Sequence, residues 1–476
     1  MPSSELFNEK LISYIRKSFN NTADLIVREM QWSKQSIIIC YYSTVVDKAL
    51  MNEQLTFIEK HWSQEDHFGE TFISNVEAFR METLRDKVTK GNAVVIFPSE
   101  NLMMSLEMQK VAVRSPSEPA NEQVVRGSHE GFVESIDMNI SLLRKKVFTS
   151  DLVVKNFMVG DLVKTNVTII YMHTIAEQDV IQLVEKKINL IKSDTMTSPG
   201  LLEDYLEEHV WSPFPQLLNT ERPDRVIANL QEGKVAILID SSPTALIGPA
   251  TFFSFYQTID DFNSRSLIGS FYRLLRILGF GIAVLLPSFY IAVVSYNPEI
   301  LPIELSRQIK QVVNEIPYRP IFEALILELM IEMIREAGIR LPAPIGQTIG
   351  IVGGLVIGDA IANAGLVSNV MIIVVALTAL ASFTIPSAEM NTAIRLLRFP
   401  FMAAASIFGF FGIAIGSLLL YIHLLNLSSL KQPYLSPFIP FQPKEFAKVF
   451  SRMPFVKPKR QTDNYKMPMD QEDKHI

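Results

Sequence analysis

Ile345-Gly346-Gln347-Thr348-Ile349-Gly350-Ile351-Val352-Gly353-Gly354-Leu355-Val356-Ile357-Gly358-Asp359-Ala360-Ile361-Ala362-Asn363-Ala364-Gly365-Leu366 is the stretch on which the reading of this chain turns. Glycine inside a soluble helix is destabilising by about 1 kcal/mol relative to alanine. Here Gly346, Gly350, Gly354 and Gly358 nonetheless recur at every fourth position, with Gly353 beside them. In a bilayer that spacing makes a smooth groove into which another helix packs closely, and the stretch is long enough to cross one. Thr348, Val352, Leu355, Asp359 and Asn363 fall on the opposite stripe at steps of three or four. Its ends are polar and its middle apolar. Two readings stay open. One is a water-filled conduit whose apolar constriction gates by dewetting. The other is a helix buried inside one protomer, with Asp359 capping a turn near a membrane surface.

The chain around this stretch has the composition that a membrane requires. Of its 476 residues, 48% are hydrophobic and 20% charged, below the usual charged share of about 25%. The charge is unevenly spread: 59 charged residues lie in 1–243, only 21 in 244–430 and 14 in 431–476. A late, charge-poor block of that size excludes a simple cytosolic enzyme and a disordered chain. Leu278–Val294, Val367–Ile385 and Phe401–Leu425 read as spans, beside Ile345–Leu366 with its single Asp359. Thr244–Tyr256 is too short and reads as interfacial or re-entrant. In Ile321–Ala337, Glu323, Glu328, Glu332 and Glu336 interrupt an apolar helix. Glu328, Glu332 and Glu336 share one face and would be costly against lipid. They must meet water, a pore, a partner, or Arg335 and Arg340, so the helix either lies on the membrane surface or lines a pore vestibule.

Residues 1–243 read as soluble α+β in two subdomains, 1–145 and 146–243, followed by a helical polytopic membrane domain, 244–430, and a basic hydrophilic tail, 431–476. Leu6–Met30, Ala49–His61, Val76–Val88, Gln178–Ile191, Gly200–Val210 and Pro223–Leu230 have helical spacing. Ile37–Tyr42, Ala93–Phe97, Asp151–Met158, Thr165–Met172 and Val235–Ile239 read as strands. No internal repeat is apparent. The net charge of −6, most of it in the N-terminal region, argues against nucleic-acid binding. The lone Cys40 precludes an intrachain disulfide.

Chemistry is scarce. His61 and His67 lie near Glu65 and Asp66 without the spacing of a metal motif. Gly127–Gly131 lacks the Lys-Ser/Thr ending of a phosphate loop. Asp240-Ser241-Ser242-Pro243 lacks the nucleophile-elbow pattern and reads as a turn after a strand. No catalytic constellation, metal site or cofactor is expected, and the chain is read as not an enzyme. The polar start shows no signal peptide, and Lys431–Arg460 holds seven basic residues against Glu445. The positive-inside rule places that tail in the cytosol with the N-terminal region. An even number of spans follows, four if Ile321–Ala337 does not cross and Asn391–Phe399 lies in the interface; a fifth stays open.

Several motifs resemble the A subunit of GerA-type spore germinant receptors. They include Ser212-Pro213-Phe214-Pro215-Gln216, Asn219-Thr220-Glu221-Arg222-Pro223-Asp224, Asp240-Ser241-Ser242-Pro243 and Phe322-Glu323-Ala324. Arg335-Glu336-Ala337-Gly338, Gly346-Gln347-Thr348-Ile349-Gly350, Ala381-Ser382-Phe383-Thr384 and Leu396-Leu397-Arg398-Phe399 continue the likeness, which runs from about Val125 to His423. The resemblance implies a subunit in the inner membrane of dormant spores, working with a transporter-like B subunit that holds the nutrient and a lipoprotein C subunit. It also implies self-association into a ring that passes ions when nutrient is sensed. Thr348, Val352, Leu355, Asp359 and Asn363 would line the path, the four-spaced glycines would pack the ring, and Glu328, Glu332 and Glu336 would form a vestibule. Gln is the family's common residue at the place of Asp359, and a ring of Asp would favour cations more strongly. Two rivals remain: a transporter working through broken helices, which inverted repeats would support, and an adaptor whose membrane part only anchors the soluble units.

Overall fold

The computed structural model describes residues 2–32, 35–62, 76–108, 118–119, 122–124, 126–196, 198–314, 316–342, 345 and 358–451. The first unit opens with helix α1 (Pro2–Ser18), strands β1 (Leu25–Trp32) and β2 (Gln35–Tyr42), and helix α2 (Lys48–Trp62). It continues through β3 (Val76–Ala78), α3 (Met81–Thr89), β4 (Asn92–Phe97) and β5 (Leu102–Glu107). The strands form an antiparallel sheet of order β1-β2-β4-β5-β3. Every residue of β4, and β2 from Ile37 onward, is buried, because both faces are covered. Met51, Leu55 and Ile58 of α2 pack on one face, and Ile15 of α1, Phe19 just after it, and Leu84 and Val88 of α3 on the other. Leu25–Met30, which helical spacing would extend from α1, is strand instead. Its apolar residues find partners across the ladder, Val27 opposite Cys40.

The second unit repeats the first. After α4 (Ile136–Lys146) come β6 (Leu152–Val159), β7 (Thr165–Met172), α5 (Gln178–Asn189), α6 (Pro199–Leu206), β8 (Leu218–Thr220), α7 (Pro223–Gln231), β9 (Val235–Ile239) and β10 (Ala245–Gly248). The sheet order is β6-β7-β9-β10-β8, the first order shifted by five strands and again antiparallel. Among the described residues each unit runs hairpin, helix, short edge strand, helix and second hairpin, with α6 as an added helix before the edge strand of the second. Gly91 and Gly233 end the equivalent helices α3 and α7, each with φ 88° and an N–H bonded 3.0 Å to the carbonyl three residues back. Such a left-handed C-cap suits glycine, which has no Cβ to clash. Thr244–Tyr256, expected at a membrane surface or re-entrant, forms β10 and a buried 3-10 turn, Phe252–Tyr256.

A buried ion pair joins the units. Arg144 of α4 donates to Asp24 through Nη2, at 2.8 Å, and Nε, at 3.0 Å. Its guanidinium also stacks over the Tyr42 ring, and the Ala23 N–H donates to the Val154 carbonyl at 2.8 Å.

The C-terminal region is helical. A short α8 (Ile259–Asn263) leads into α9 (Ser266–Tyr296), α10 (Ile303–Asn314), α11 (Pro320–Arg340) and α12 (Gly358–Asn363). Next come α13 (Asn369–Phe383), α14 (Ala388–Phe408) and α15 (Phe410–Asn426). A small two-stranded ladder, β11 (Ser428–Ser429) and β12 (Gln432–Pro433), and α16 (Pro443–Phe450) end the described chain. Among the described residues one helix, α9, is long and apolar enough to cross a membrane, and α13 and α15 are apolar but shorter. The expected span Leu278–Val294 lies inside α9. Phe401–Leu425, expected as one span, is two helices. Gly409, with φ 59°, breaks it, and Gly412 then lies so close to the Ala404 carbonyl that a Cβ there would clash. Asn391–Phe399 is part of α14, with Ile394 and Arg398 buried. Of Ile345–Leu366, the described residues are Ile345 and those from Gly358 on.

Candidate functional site in the helical region

Contacts along the helices fix their directions. Near the second unit, Gly279 of α9 meets Thr384 and Ala381 at the end of α13. At the far end, Tyr296 donates to the carbonyls of Ser406, 2.7 Å, and Ile407, 2.9 Å, at the α14–α15 turn. There too Tyr290 lies 3.4 Å from Ser368, whose N–H donates to Glu323 at 2.8 Å. Arg335 stacks over Phe383 at the near end. So α9 and α14 run away from the second unit, while α11, α13 and α15 run back toward it.

The glutamates of α11 take cations from across the bundle. Glu328 pairs with Arg398 of α14, both nearly fully buried, and Arg398 also donates through Nε to the Ala283 carbonyl at 2.9 Å. Glu332 pairs with Arg395. Glu336 pairs with Arg340 one turn on, at 2.6 Å, in the open. Within one chain the three acids therefore do not line a common cavity: Glu328 is sealed in a helix interface, and only Glu332 and Glu336 reach solvent. Arg395 and Arg398, which the sequence reading left in the interfacial stretch Asn391–Phe399, are the partners that reading missed. The available signal was a pair of arginines three apart matching a pair of glutamates four apart on helices that can face each other. Glu323 is fully buried and accepts the Ser368 N–H at the start of α13. Ser368 in turn caps that helix by accepting from the Met371 N–H at 3.1 Å.

Of the stripe and groove residues, Thr348, Val352, Leu355, Gly346, Gly350 and Gly354 lie outside the described residues, as does the side chain of Asp359. Gly358 begins α12, and a Cβ in its place would meet no described atom within 4 Å. Asn363, at the end of α12, is exposed. His67, Glu65 and Asp66 also lie outside the described residues, and among the described residues no group of three or more His, Cys, Asp or Glu is placed to hold a metal.

A second charged constellation joins the soluble unit to the bundle. Asp261 is fully buried between Arg273, 3.2 Å, and Arg276, 2.8 Å, on the first turns of α9. Arg222, 2% exposed, bonds Asp224 at 2.6 Å and the carbonyls of Ser128, 2.8 Å, and Glu122, 3.3 Å. Glu389, at the start of α14, accepts from Asn219 at 3.2 Å. Burial, and then the Glu389 charge, holds the Glu203 carboxyl well above its ordinary range. Burial also raises Glu207 to about 7, against the pull of the Gln216 N–H. His423, near the end of α15, meets Ser212 at 2.9 Å, and Tyr434 donates to the Pro215 carbonyl at 2.7 Å. The motifs quoted from 212–224 thus form the seam between sheet and helices.

Comparison with known proteins identifies the family. The family described as Bacillus/Clostridium GerA spore germination protein matches residues 13–464. An uncharacterised membrane protein, YfkQ, of Bacillus subtilis (strain 168) is 41% identical over 395 residues, 82% of this chain and 77% of that one. The spore germination protein GerQA of Bacillus cereus is 37% identical over 451 residues, 94% of this chain and 90% of its own. Among solved structures, the N-terminal domain of the A subunit of the Bacillus megaterium spore germinant receptor GerK3 is 27% identical, with a TM-score of 0.39, covering 50% of this chain and 93% of that one. With the family matched over nearly its whole length and relatives this similar along most of it, the chain belongs to the GerA spore germination protein family.

Proposed function

We propose that the chain is the A-type subunit of a spore germinant receptor, embedded in the spore inner membrane, and that copies of it form a ring around a nutrient-gated cation path. In this reading Thr348, Val352, Leu355, Asp359 and Asn363 line the path. Gly346, Gly350, Gly354 and Gly358 pack neighbouring helices, and Glu332 and Glu336 face the vestibule. A transporter-like B subunit and a lipoprotein C subunit supply nutrient recognition, and the chain itself signals rather than catalyses.

The observation that carries the ring is Gly358. A Cβ there would meet no described atom within 4 Å, which leaves room for a helix of another copy to pack closely against it. The helix directions are outward for α9 and α14 and inward for α11, α13 and α15, and α11 ends near the second unit while α13 starts at the far end, which supports a topology of six passes. Both soluble ends then share one side, as the basic tail requires. On this reading α11 crosses the membrane, because Glu328 and Glu332 have their cations inside the bundle.

The test is the mass of the purified full chain in lipid nanodiscs, with cation flux from liposomes. A ring with flux, and a leak without nutrient in Val352→Ala or Leu355→Ala, is the expected result. A monomer under all conditions refutes the ring, and a ring that passes no ions favours the adaptor.

A further inference from the structure

We propose that α16, with Phe438 and Phe441 before it, is a lipid-binding foot that sits in the headgroup layer of an anionic bilayer on the side of the soluble units. The proposal rests on the reading of α9 as a membrane-spanning helix. That helix has 31 residues, about 46 Å at 1.5 Å per residue, against a hydrocarbon core of about 30 Å. Its far end is fixed by Tyr296 at the Gly409 turn. The excess length therefore falls on its first three turns, which occupy the headgroup layer. Leu267, Phe271 and Tyr272 are exposed on those turns, as apolar and aromatic side chains are at a membrane interface.

The foot is tied to α9 at that level. Arg273, held by Asp261, donates through Nη1 to the Lys448 carbonyl at 2.8 Å. Val449 is buried, and Phe450 packs 6.3 Å from Phe253 of the second unit. These contacts fix the depth of the helix. The Phe446 ring lies on the same face, 5.0 Å from Phe450, and gathers Phe441 at 5.4 Å and Phe438 at 5.8 Å at its outer edge, both exposed. Lys444 and Lys448 are also exposed, with Glu445 the acid of the helix, 2.6 Å from Lys448. The sequence continues through Arg452, Lys457, Lys459 and Arg460. An aromatic cluster beside lysines, on a short amphipathic helix at the depth where a spanning helix enters the bilayer, has the chemistry of an anionic lipid surface. Trp211, fully exposed and next to the Ser212 that meets His423 at the end of α15, is a second aromatic anchor at this face.

The test uses the full chain in nanodiscs. Cys40 is buried and is the single cysteine, so a nitroxide can be placed on Phe441→Cys alone, with Phe438→Cys as a second site. Collision with oxygen and with a water-soluble nickel chelate gives its depth. Leu418→Cys, exposed on α15, and Asp161→Cys, in a loop of the second unit, mark hydrocarbon and water. The expected oxygen-to-nickel ratio at Phe441 lies between the two, about threefold above Asp161, as for a side chain at the headgroup boundary. The expected ratio also falls when phosphatidylglycerol is replaced by phosphatidylcholine, and falls less in the Lys444→Gln/Lys448→Gln background. A Phe441 label that behaves as in water while Leu418 is deep overturns the foot and leaves the spanning reading standing. A Leu418 label in water overturns the spanning reading itself. Protection of Phe441 from both reagents overturns the lipid assignment in favour of a protein contact, and a ratio indifferent to lipid charge overturns the role of the lysines.

Discussion

The two five-stranded units have one topology and two different surroundings. Both faces of the first sheet are closed by helices of its own unit, α2 on one side and α1 with α3 on the other. One face of the second sheet is closed likewise, by α5 and α6. Its other face shares a single core with the bundle, in which Val154, Ile170 and Leu238 join Ala283, Ile394, Phe401 and Leu424. The position before the equivalent helices α3 and α7 follows the same division. Arg80 caps no backbone group and is exposed, whereas Arg222 is buried among Asp224, Glu122 and Ser128. The second unit is thus built into the helices, and the first is held to it chiefly through Asp24 and Arg144. One fold used twice thus meets the bundle directly in its second copy and through that copy in its first.

The junction between the units gives the largest expected effect. Asp24→Ala leaves the Arg144 charge buried at 2% exposure, and breaking a buried pair from one side costs about 3–5 kcal/mol. The expected outcome is faster amide exchange in β1 and β6, with the bundle helices unchanged, and partial recovery when Arg144→Leu is added. Exchange that rises in α9 and α14 equally would show that the two units are not coupled differently.

Next comes the paired arginine test. Arg222→Ala strands Asp224 and two carbonyls and is expected to cost about 3 kcal/mol. Arg80→Ala, at a solvated position, should stay within about 0.5 kcal/mol. Thermal midpoints of the full chain in one detergent decide it, and equal losses would erase the contrast between the units.

The equivalence of the units is sharpened by Gly91→Ala and Gly233→Ala. Both glycines have φ 88°, and a left-handed non-glycine residue costs roughly 1–2 kcal/mol. Gly233→Ala should lose somewhat more, since its Cβ would approach the Ile175 carbonyl at 3.0 Å. Loss at only one of the two positions would break the proposed correspondence.

The legible part of the fold was the part written in local periodicity. Thr165–Met172 and Val235–Ile239 are strands with the bounds read from their β-branched runs, and α5 and α7 begin at Gln178 and Pro223 as expected. The repeat was not legible. Its register rests on equivalent backbone positions, such as Gly91 and Gly233, between which the side chains differ and the spacing drifts. The α14–α15 break was hidden because Gly409 is one of three glycines, with Gly412 and Gly416, in a long apolar run. Length and hydropathy there match one span, and the turn depends on the fit of Gly412 against Ala404. At the candidate site, the pattern of α11 correctly demanded partners for its acids. That those partners were Arg398 and Arg395 needed the packing of two helices that no local window relates.

The smallest expected effect is a pH slope that belongs to the built-in unit. Burial raises the Glu207 carboxyl from an ordinary 4.5 to about 7, and Glu203 is displaced in the same direction beside Glu389. The folded state therefore binds these protons more tightly than the unfolded chain does. The stabilisation they provide is complete below about pH 4.5 and is lost as the pH rises, for Glu207 through about 7 and for Glu203 through about 9. Over pH 5 to 8 the thermal midpoint of the full chain should fall. Glu207→Gln should reduce the slope, since the amide oxygen can still accept the Gln216 N–H, 2.7 Å from the carboxylate in the parent chain, and carries no charge to desolvate. Adding Glu203→Gln should flatten the slope further. A parent chain whose midpoint rises across that interval would mean that these carboxylates are ionised and compensated in the fold, and that the seam between the second unit and α14 is not the proton-sensitive part of the molecule.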